Sequence, residues 1–411
     1  MSKKELPGQL FSDFRVLLYL FISLRVILLI VYQPQLIETS DPEFPVVERG
    51  LTVLGDYREH YEFSSKIGSD NLPYRDYWVE FPPVWPALTA VTYTLFDNFT
   101  NWASVIFLIM TVFDTGNLVL MRTIGGKLHG TEQGVALSWV YALLAAPLVI
   151  VAWNFESIVI FTLLAGFWLY IQGKIRPSGT IIAFGILTKY LPLLILPMIW
   201  RFMPRREALV YSAVSVGLVL LVLIPLVLWG GEMAITSLTV QFDKPSYQTV
   251  WALLDGNYAT GSFPGGEIRY DAGTVKQPGN AAVIPGWLRL IPFAGFGLWL
   301  FSRPMPTGEP IQFAFLSMTI VIFTLWSQGW SPQWVILLLP LILLNFPSRL
   351  GILAAVTLMV GTFIEYPLLF RYGAESGNII GETYRLPFAM LILARTTFLT
   401  GFAWALMGKL K

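Results

Sequence analysis

Long apolar runs separated by short polar punctuation make up most of this chain. They lie near 14–33, 82–97, 102–122, 133–152, 156–171, 179–200, 208–229, 284–302, 311–327, 332–346, 350–369 and 386–408. Roughly twenty apolar residues of helix cross the hydrocarbon of a bilayer. The pattern predicts an all-α polytopic membrane protein, a bundle of about 10–12 transmembrane helices.

Charge placement refines that reading. If every run crossed once, the loops holding Arg122/Lys127 and Lys174/Arg176 would face outside, against the bias of basic residues to the cytoplasm. Two runs can be reread. The run 82–97 opens with Pro82-Pro83 and carries Pro86, and is expected to lie at the interface without spanning. The run 179–200 is broken by Lys189 and Pro192 and has basic residues on both flanks. It predicts a re-entrant hairpin over 178–203, with Thr188-Lys189-Tyr190 at its apex; such backbone is tolerable only against protein or a wet cavity.

With these changes Lys3/Lys4, Arg122/Lys127, Lys174/Arg176, Arg201/Arg205/Arg206, Arg303, Arg349 and Lys409/Lys411 all fall inside. The loop 35–101, the turn Trp153-Asn154-Phe155-Glu156, the loop 230–283 and the loop 370–385 fall outside. The expectation is a plasma-membrane, multi-pass protein with cytoplasmic termini and an external active site. The first run carries Arg15 and Arg25 and is not followed by a small-residue cleavage site, so it reads as a retained span. No internal repeat stands out, and 230–283 is too short and too rich in Gly, Pro, Asp and Asn for a soluble domain. The chain 1–411 reads as a single transmembrane catalytic domain.

Composition agrees: 55% of residues are hydrophobic and 13% charged. A net charge of +1 gives no sign of nucleic-acid binding. Without cysteine there is no disulfide frame, thiolate nucleophile or thiolate metal site. His60 and His129 are too few and too far apart for a metal, and the first loop has no Asp-x-Asp pair. No metal or other cofactor is expected.

Against this lipid-like background the stretch from Glu38 to Glu80 holds ten Asp/Glu and four Lys/Arg. A spanning protein has little structural need for such a loop, so chemistry is sought there. Asp56 and Asp76 are the leading carboxylates: either could be a general base among aromatics, and either could simply cap a helix. Tyr57 and Tyr74 of the same loop are candidate sugar contacts. In Glu80-Phe81-Pro82-Pro83 the proline pair is architectural, and Glu80 is either a second acid or an anion at a helix start.

Lys189, a cation inside an apolar hairpin, points to a site for a lipid phosphate, with snorkelling to water as its alternative. Arg371 could pair with a phosphate or a headgroup. Glu156 and Asn154 could face a sugar, and Glu156 is equally a helix-start anion. In the turn Ser327-Gln328-Gly329-Trp330-Ser331-Pro332-Gln333-Trp334, the amides of Gln328 and Gln333 and the face of Trp334 suit a sugar ring. An interfacial aromatic belt is the plainer reading. Arg25 and Asp114 are expected to pair structurally, and Arg395 lies mid-span with no evident partner.

Taken in order, Asp56-Tyr57, Leu72-Pro73-Tyr74-Arg75-Asp76-Tyr77, Glu80-Phe81-Pro82-Pro83, Gly185-Ile186-Leu187-Thr188-Lys189-Tyr190-Leu191-Pro192 and Ser331-Pro332-Gln333-Trp334 form a pattern. It resembles the GT-C superfamily of membrane glycosyltransferases, and within it the polyprenol-phosphate-mannose-dependent mannosyltransferases of glycosyltransferase family 87. Phe81 stands where members often have Tyr. The resemblance implies a GT-C bundle and a first-loop general base, to which Asp56 corresponds. It implies a polyprenyl-phosphate sugar donor, a glycolipid or glycan acceptor, and inversion at the anomeric carbon. Lys189 and Arg371 would then meet the leaving phosphate.

Two other classes are weighed. A flippase or transporter of polyprenyl-linked glycans would line a central path with charge, whereas here acids gather in one outer loop. An O-antigen ligase or polymerase would carry its dominant Arg- and His-bearing loop late in the chain, and 230–283 has no His.

Overall fold

A computed structural model describes residues 12–40, 46–52, 54–69, 71–261, 269–274, 279–373 and 379–411. The fold is helical, and among the described residues six helices are long and apolar enough to cross a membrane. They are α1 (Phe14–Val31), α4 (Phe99–His129), α10 (Arg205–Asp243), α13 (Glu309–Trp326), α15 (Arg349–Gly373) and α16 (Glu382–Lys409). Shorter helices fill the gaps: α7 (Glu156–Ile171), α8 (Ile175–Thr188), α9 (Leu196–Phe202), α12 (Gly286–Ser302) and α14 (Val335–Asn345). Of the 10–12 helices expected, six are long enough to cross by themselves among the described residues, and the others are shorter because proline and polar residues end several apolar runs early.

The centre of the bundle is α14. All eleven of its residues are buried, yet at about 1.5 Å per residue it is too short to cross a bilayer. Around it pack α4, α7 and α13. The outer helices expose apolar side chains: Leu221 and Leu228 of α10 are 68% and 81% exposed, a surface made for lipid. Small residues set the tightest approach. A Cβ on Gly134 of α5 (Thr131–Leu143) would lie 2.4 Å from the Arg122 carbonyl of α4, so only glycine lets these two helices meet.

Charged residues segregate to the two ends. At one, Lys127 pairs with Glu309 at 3.2 Å, Arg201 donates to the Arg303 carbonyl, His129 meets the Leu344 carbonyl and Lys409 lies over Phe346. The acidic loop forms the other. Between the ends, Arg25 of α1 and Asp114 of α4 pair at 2.6 Å, both 1% exposed, and Tyr141 donates to the second Asp114 oxygen. This is the structural pair expected.

The segment after α7 goes out and comes back. Gly179 of α8 and Trp200 of α9 both lie against the 211–214 stretch of α10. The turn between them, Lys189-Tyr190, lies at the far end of α10, where Tyr190 donates to the Leu238 carbonyl and stacks on Phe242. Run 82–97 contains the twelve-residue α3 (Val84–Leu95).

Two features of the acidic end differ from the sequence reading. A small antiparallel hairpin pairs β1 (Gln35–Glu38) with β2 (Val46–Arg49). The loop 230–283 starts as helix, since α10 bends at Gly231 (φ 55°, ψ −129°) and continues to Asp243. That arm carries polar residues back onto the first loop: Ser237 accepts the Val79 N–H at 3.1 Å and Gln241 reaches Glu80.

Candidate functional site

Asp56 stands in the first turn of α2 (Gly55–Ser65), where the helix dipole favours an anion. Gly55 precedes it with φ 41°, a backbone angle that suits glycine. Tyr57 fixes the helix from below: its buried hydroxyl donates to the Val151 carbonyl at 2.6 Å and its ring meets Trp102 edge-on. This brings the turn 151–156 against Asp56. There Asn154 donates its side-chain amide to Asp56 Oδ2 at 2.5 Å, while its own carbonyl accepts the Glu156 N–H at 2.8 Å. Asn154 is thus held at both ends of its amide. Burial pushes the Asp56 carboxyl up to about 7 and the Glu80 charge adds to this, against the pull of Lys189 and of Asn154. A carboxylate poised near neutrality is suited to taking a proton from a hydroxyl.

Lys189 follows α8 in extended backbone. Its ammonium pairs with Glu156 Oε1, and Glu156 is 1% exposed. The same ammonium lies 5.6 Å from the Phe155 ring centre and 5.8 Å from that of Trp334. Among the described residues Glu156 Oε2 and the indole N–H groups of Trp330 and Trp334 are buried without hydrogen-bond partners. Buried polar groups normally find partners, so this end of the bundle has hydrogen-bonding capacity to offer a ligand. Trp330 meets Trp334 edge-on at 5.7 Å, and Arg395 lies 4.4 Å from the Trp330 ring centre. Arg395 pairs with Glu365 and donates to the Gln248 carbonyl, and the Gln248 side chain also reaches Glu365.

A second charged knot locks the first loop to the arm of α10. Glu80 accepts from Lys244, Arg269 and Gln241, each at 3.0 Å, and Glu59 accepts from Arg269 at 2.5 Å. Burial works against the Glu80 charge, but Lys244 and Arg269 hold its carboxyl below the usual range. Burial and the Glu80 charge push Glu59 up. His60 lies among Phe63, Phe81, Trp85 and Phe155, and burial takes it down to about 3, so it is neutral at physiological pH.

The structure brings Asp56, Glu156, Lys189 and Trp334 together, with Glu80 within electrostatic reach of Asp56. Other candidates have partners or surroundings of their own. Asp76 pairs with its neighbour Arg75 at 2.7 Å and accepts the Leu72 N–H, which holds it below the ordinary carboxylate range. Tyr74, at φ 68°, donates to the Phe81 carbonyl at 2.7 Å. The Gln328 amide donates to the Phe242 and Lys244 carbonyls, joining the 327–334 turn to the α10 arm. Gln333 is half-buried beside Trp334. Arg371 is exposed on an open groove lined by Val360, Phe363, Ile364, Pro367, Leu368 and Tyr372. Among the described residues no three His, Cys, Asp or Glu converge as metal ligands.

Sequence reasoning missed Lys244 and Arg269, the cations that neutralise Glu80, and Glu365, the partner of Arg395. Glu365 had a legible signal, being a carboxylate within the apolar run 350–369. Lys244 and Arg269 lie in a loop whose fold back onto the first loop no local pattern announces.

No protein-family model matches the sequence, and no curated protein matches it. Among solved structures, the chain is similar to ArnT from Cupriavidus metallidurans bound to undecaprenyl phosphate, at 16% identity and a TM-score of 0.43 over 95% of this chain and 74% of that one. It is also similar to the Archaeoglobus fulgidus oligosaccharyltransferase tethered to an acceptor peptide, at 13% identity and a TM-score of 0.38. That match takes in 95% of this chain and 54% of the other, so the chain spans about half of the oligosaccharyltransferase. Likeness at this level leaves the function to be argued from the site.

Proposed function

We propose that this protein is a GT-C-type membrane glycosyltransferase that moves a sugar from a polyprenyl-phosphate donor to an acceptor hydroxyl, with Asp56 as the general base. The observation that carries the reading is the Asp56–Asn154 contact beside the Lys189–Glu156 pair. It sets a near-neutral carboxylate within electrostatic reach of a cation, at one end of the bundle. Asp56 takes the proton of the acceptor hydroxyl as that oxygen attacks the anomeric carbon. The bond from that carbon to the phosphate oxygen breaks, polyprenyl phosphate leaves, and the anomeric centre inverts. Lys189 stabilises the charge growing on the leaving phosphate, where a preorganised cation is most effective. The apolar tail of such a donor stays in lipid while its phosphate reaches Lys189.

The acidic end is proposed to be external, with the Lys189 hairpin re-entrant and both termini cytoplasmic, as the basic residues at the opposite end suggest. The transferred sugar is proposed to be a hexose, mannose by the motif resemblance, and the acceptor a glycolipid or glycan. No metal is invoked in this reading, since Lys189 supplies the positive charge at the leaving phosphate. A flippase is less well supported because, the buried Arg25–Asp114 pair aside, the charged residues gather at the two ends of the bundle and not along a path.

The test is turnover by purified protein with a panel of polyprenyl-phosphate sugars and glycolipid acceptors. Transfer from at least one donor, lost in Asp56→Asn, is the expected result. No transfer from any donor, with protein that is folded, would remove the assignment.

A further inference from the structure

The helix α15 is interrupted at Tyr366, where the backbone swings to φ −141° and ψ 125° between the Phe363 turn and Phe370. The interruption is braced on its N-terminal side by Glu365, held by Arg395 of α16 and Gln248. Its effect is to deliver the Tyr366 side chain to the base. The ring packs on Trp153 at 5.4 Å, one residue before the Asn154 that bonds Asp56. The hydroxyl lies 3.7 Å from the point where a Cβ of Gly55 would stand, one residue before Asp56 itself. Other tyrosines of the acidic end, Tyr57, Tyr74 and Tyr77, spend their hydroxyls on backbone carbonyls. Among the described residues the Tyr366 hydroxyl has no such partner, and the residue is only half-buried.

We propose that Tyr366 is an acceptor-binding residue, its hydroxyl hydrogen-bonding a sugar hydroxyl of the acceptor and aiming the neighbouring hydroxyl at Asp56. The ligand class is a polyhydroxylated glycoside, and the proposal rests on the transferase reading for that identity. A phenol is suited to the task because it both donates and accepts. Its ring, fixed against Trp153, holds the oxygen in place without the rotamer freedom of a longer side chain. Glu365 and Arg395 act through it, as positioning residues.

The variant that isolates the oxygen is Tyr366→Phe, which keeps the ring on Trp153. Octyl α-mannoside serves as the acceptor probe, titrated calorimetrically into protein in lipid nanodiscs, with empty nanodiscs as the blank. Tyr366→Phe should bind it about three- to tenfold more weakly, the loss expected for one neutral hydrogen bond. In turnover, the acceptor KM should rise by a similar factor while the donor KM stays unchanged. Equal affinity in the two proteins, or no affinity in the wild type, overturns the proposal. A wild-type protein that binds the glycoside through Tyr366 but transfers no sugar from any polyprenyl-phosphate donor would keep this site and sink the transferase assignment instead.

Discussion

Asp56 and Asn154 stand 98 positions apart in the sequence and share a 2.5 Å hydrogen bond. Asn154 cannot turn away, because its carbonyl is bound to the Glu156 N–H. The carboxylate is therefore oriented by a residue whose own position is set by a helix start, and among the described residues its other oxygen carries no hydrogen bond.

Asp56→Asn keeps this shape and loses the ability to take a proton. A general base contributes about a hundred- to ten-thousand-fold, so transfer should fall at least a hundredfold while donor affinity is retained. Asp76→Asn, at an exposed turn, should lower transfer far less. A dead Asp76→Asn beside an active Asp56→Asn would move the base to Asp76.

The pH profile should report the same carboxyl. Asp56 serves as base only when ionised, and burial has raised it to about 7. The acceptor kcat/KM should rise with pH and level off above about 7. A profile flat from pH 5 to 8 would exclude a base raised in this way.

Stability should run the other way. The folded carboxyl binds its proton up to about 7, against an ordinary 3.8 in the unfolded chain. The folded state thus holds more protons between those values, and stability falls as pH rises through them. Asp56→Asn removes the dependence. Its melting temperature should match the wild type near pH 4, pull ahead between pH 4 and 7, and stay ahead by a constant margin above that.

Lys189→Ala should weaken donor use and also leave the buried Glu156 carboxylate without its cation. Breaking such a pair costs about 3–5 kcal/mol. The double variant Lys189→Ala/Glu156→Gln removes that charge and should recover thermal stability without recovering the donor KM. If activity returns along with stability, Lys189 was only a counter-ion. Asp114→Asn offers the contrast, since it strands Arg25 far from the site. It should destabilise by a similar amount and leave the activity of the surviving folded protein intact.

Sidedness can be read with single cysteines, as the chain has none. Lys174 and Asp97 are both exposed, in loops at opposite ends of the bundle. Lys174→Cys should react with an impermeant maleimide only from the cytoplasmic side and Asp97→Cys only from outside. The reverse pattern would invert the topology.

The apolar runs by themselves determined that this chain is a helical membrane protein, because about twenty lipid-compatible residues admit little else. Local grammar also picked out Asp56, Glu156, Lys189 and Trp334, since charge and aromatic-polar turns stand out against lipid-like sequence. It could not say which of them meet. The turn at Lys189 returns the chain to the level of 211–214, and the bend at Gly231 folds the α10 arm onto the first loop. Those two events decide that Lys189 faces Glu156 and that Lys244 meets Glu80. Tyr366 was silent in sequence for the same reason: a tyrosine near the end of an apolar run looks like an interfacial anchor. Only the packing of α15 against the 151–156 turn brings its ring onto Trp153 and its hydroxyl close to Gly55, the residue before Asp56. Composition and periodicity act over one helix at a time, whereas these pairings join residues tens to hundreds of positions apart and depend on how the helices end, bend and pack.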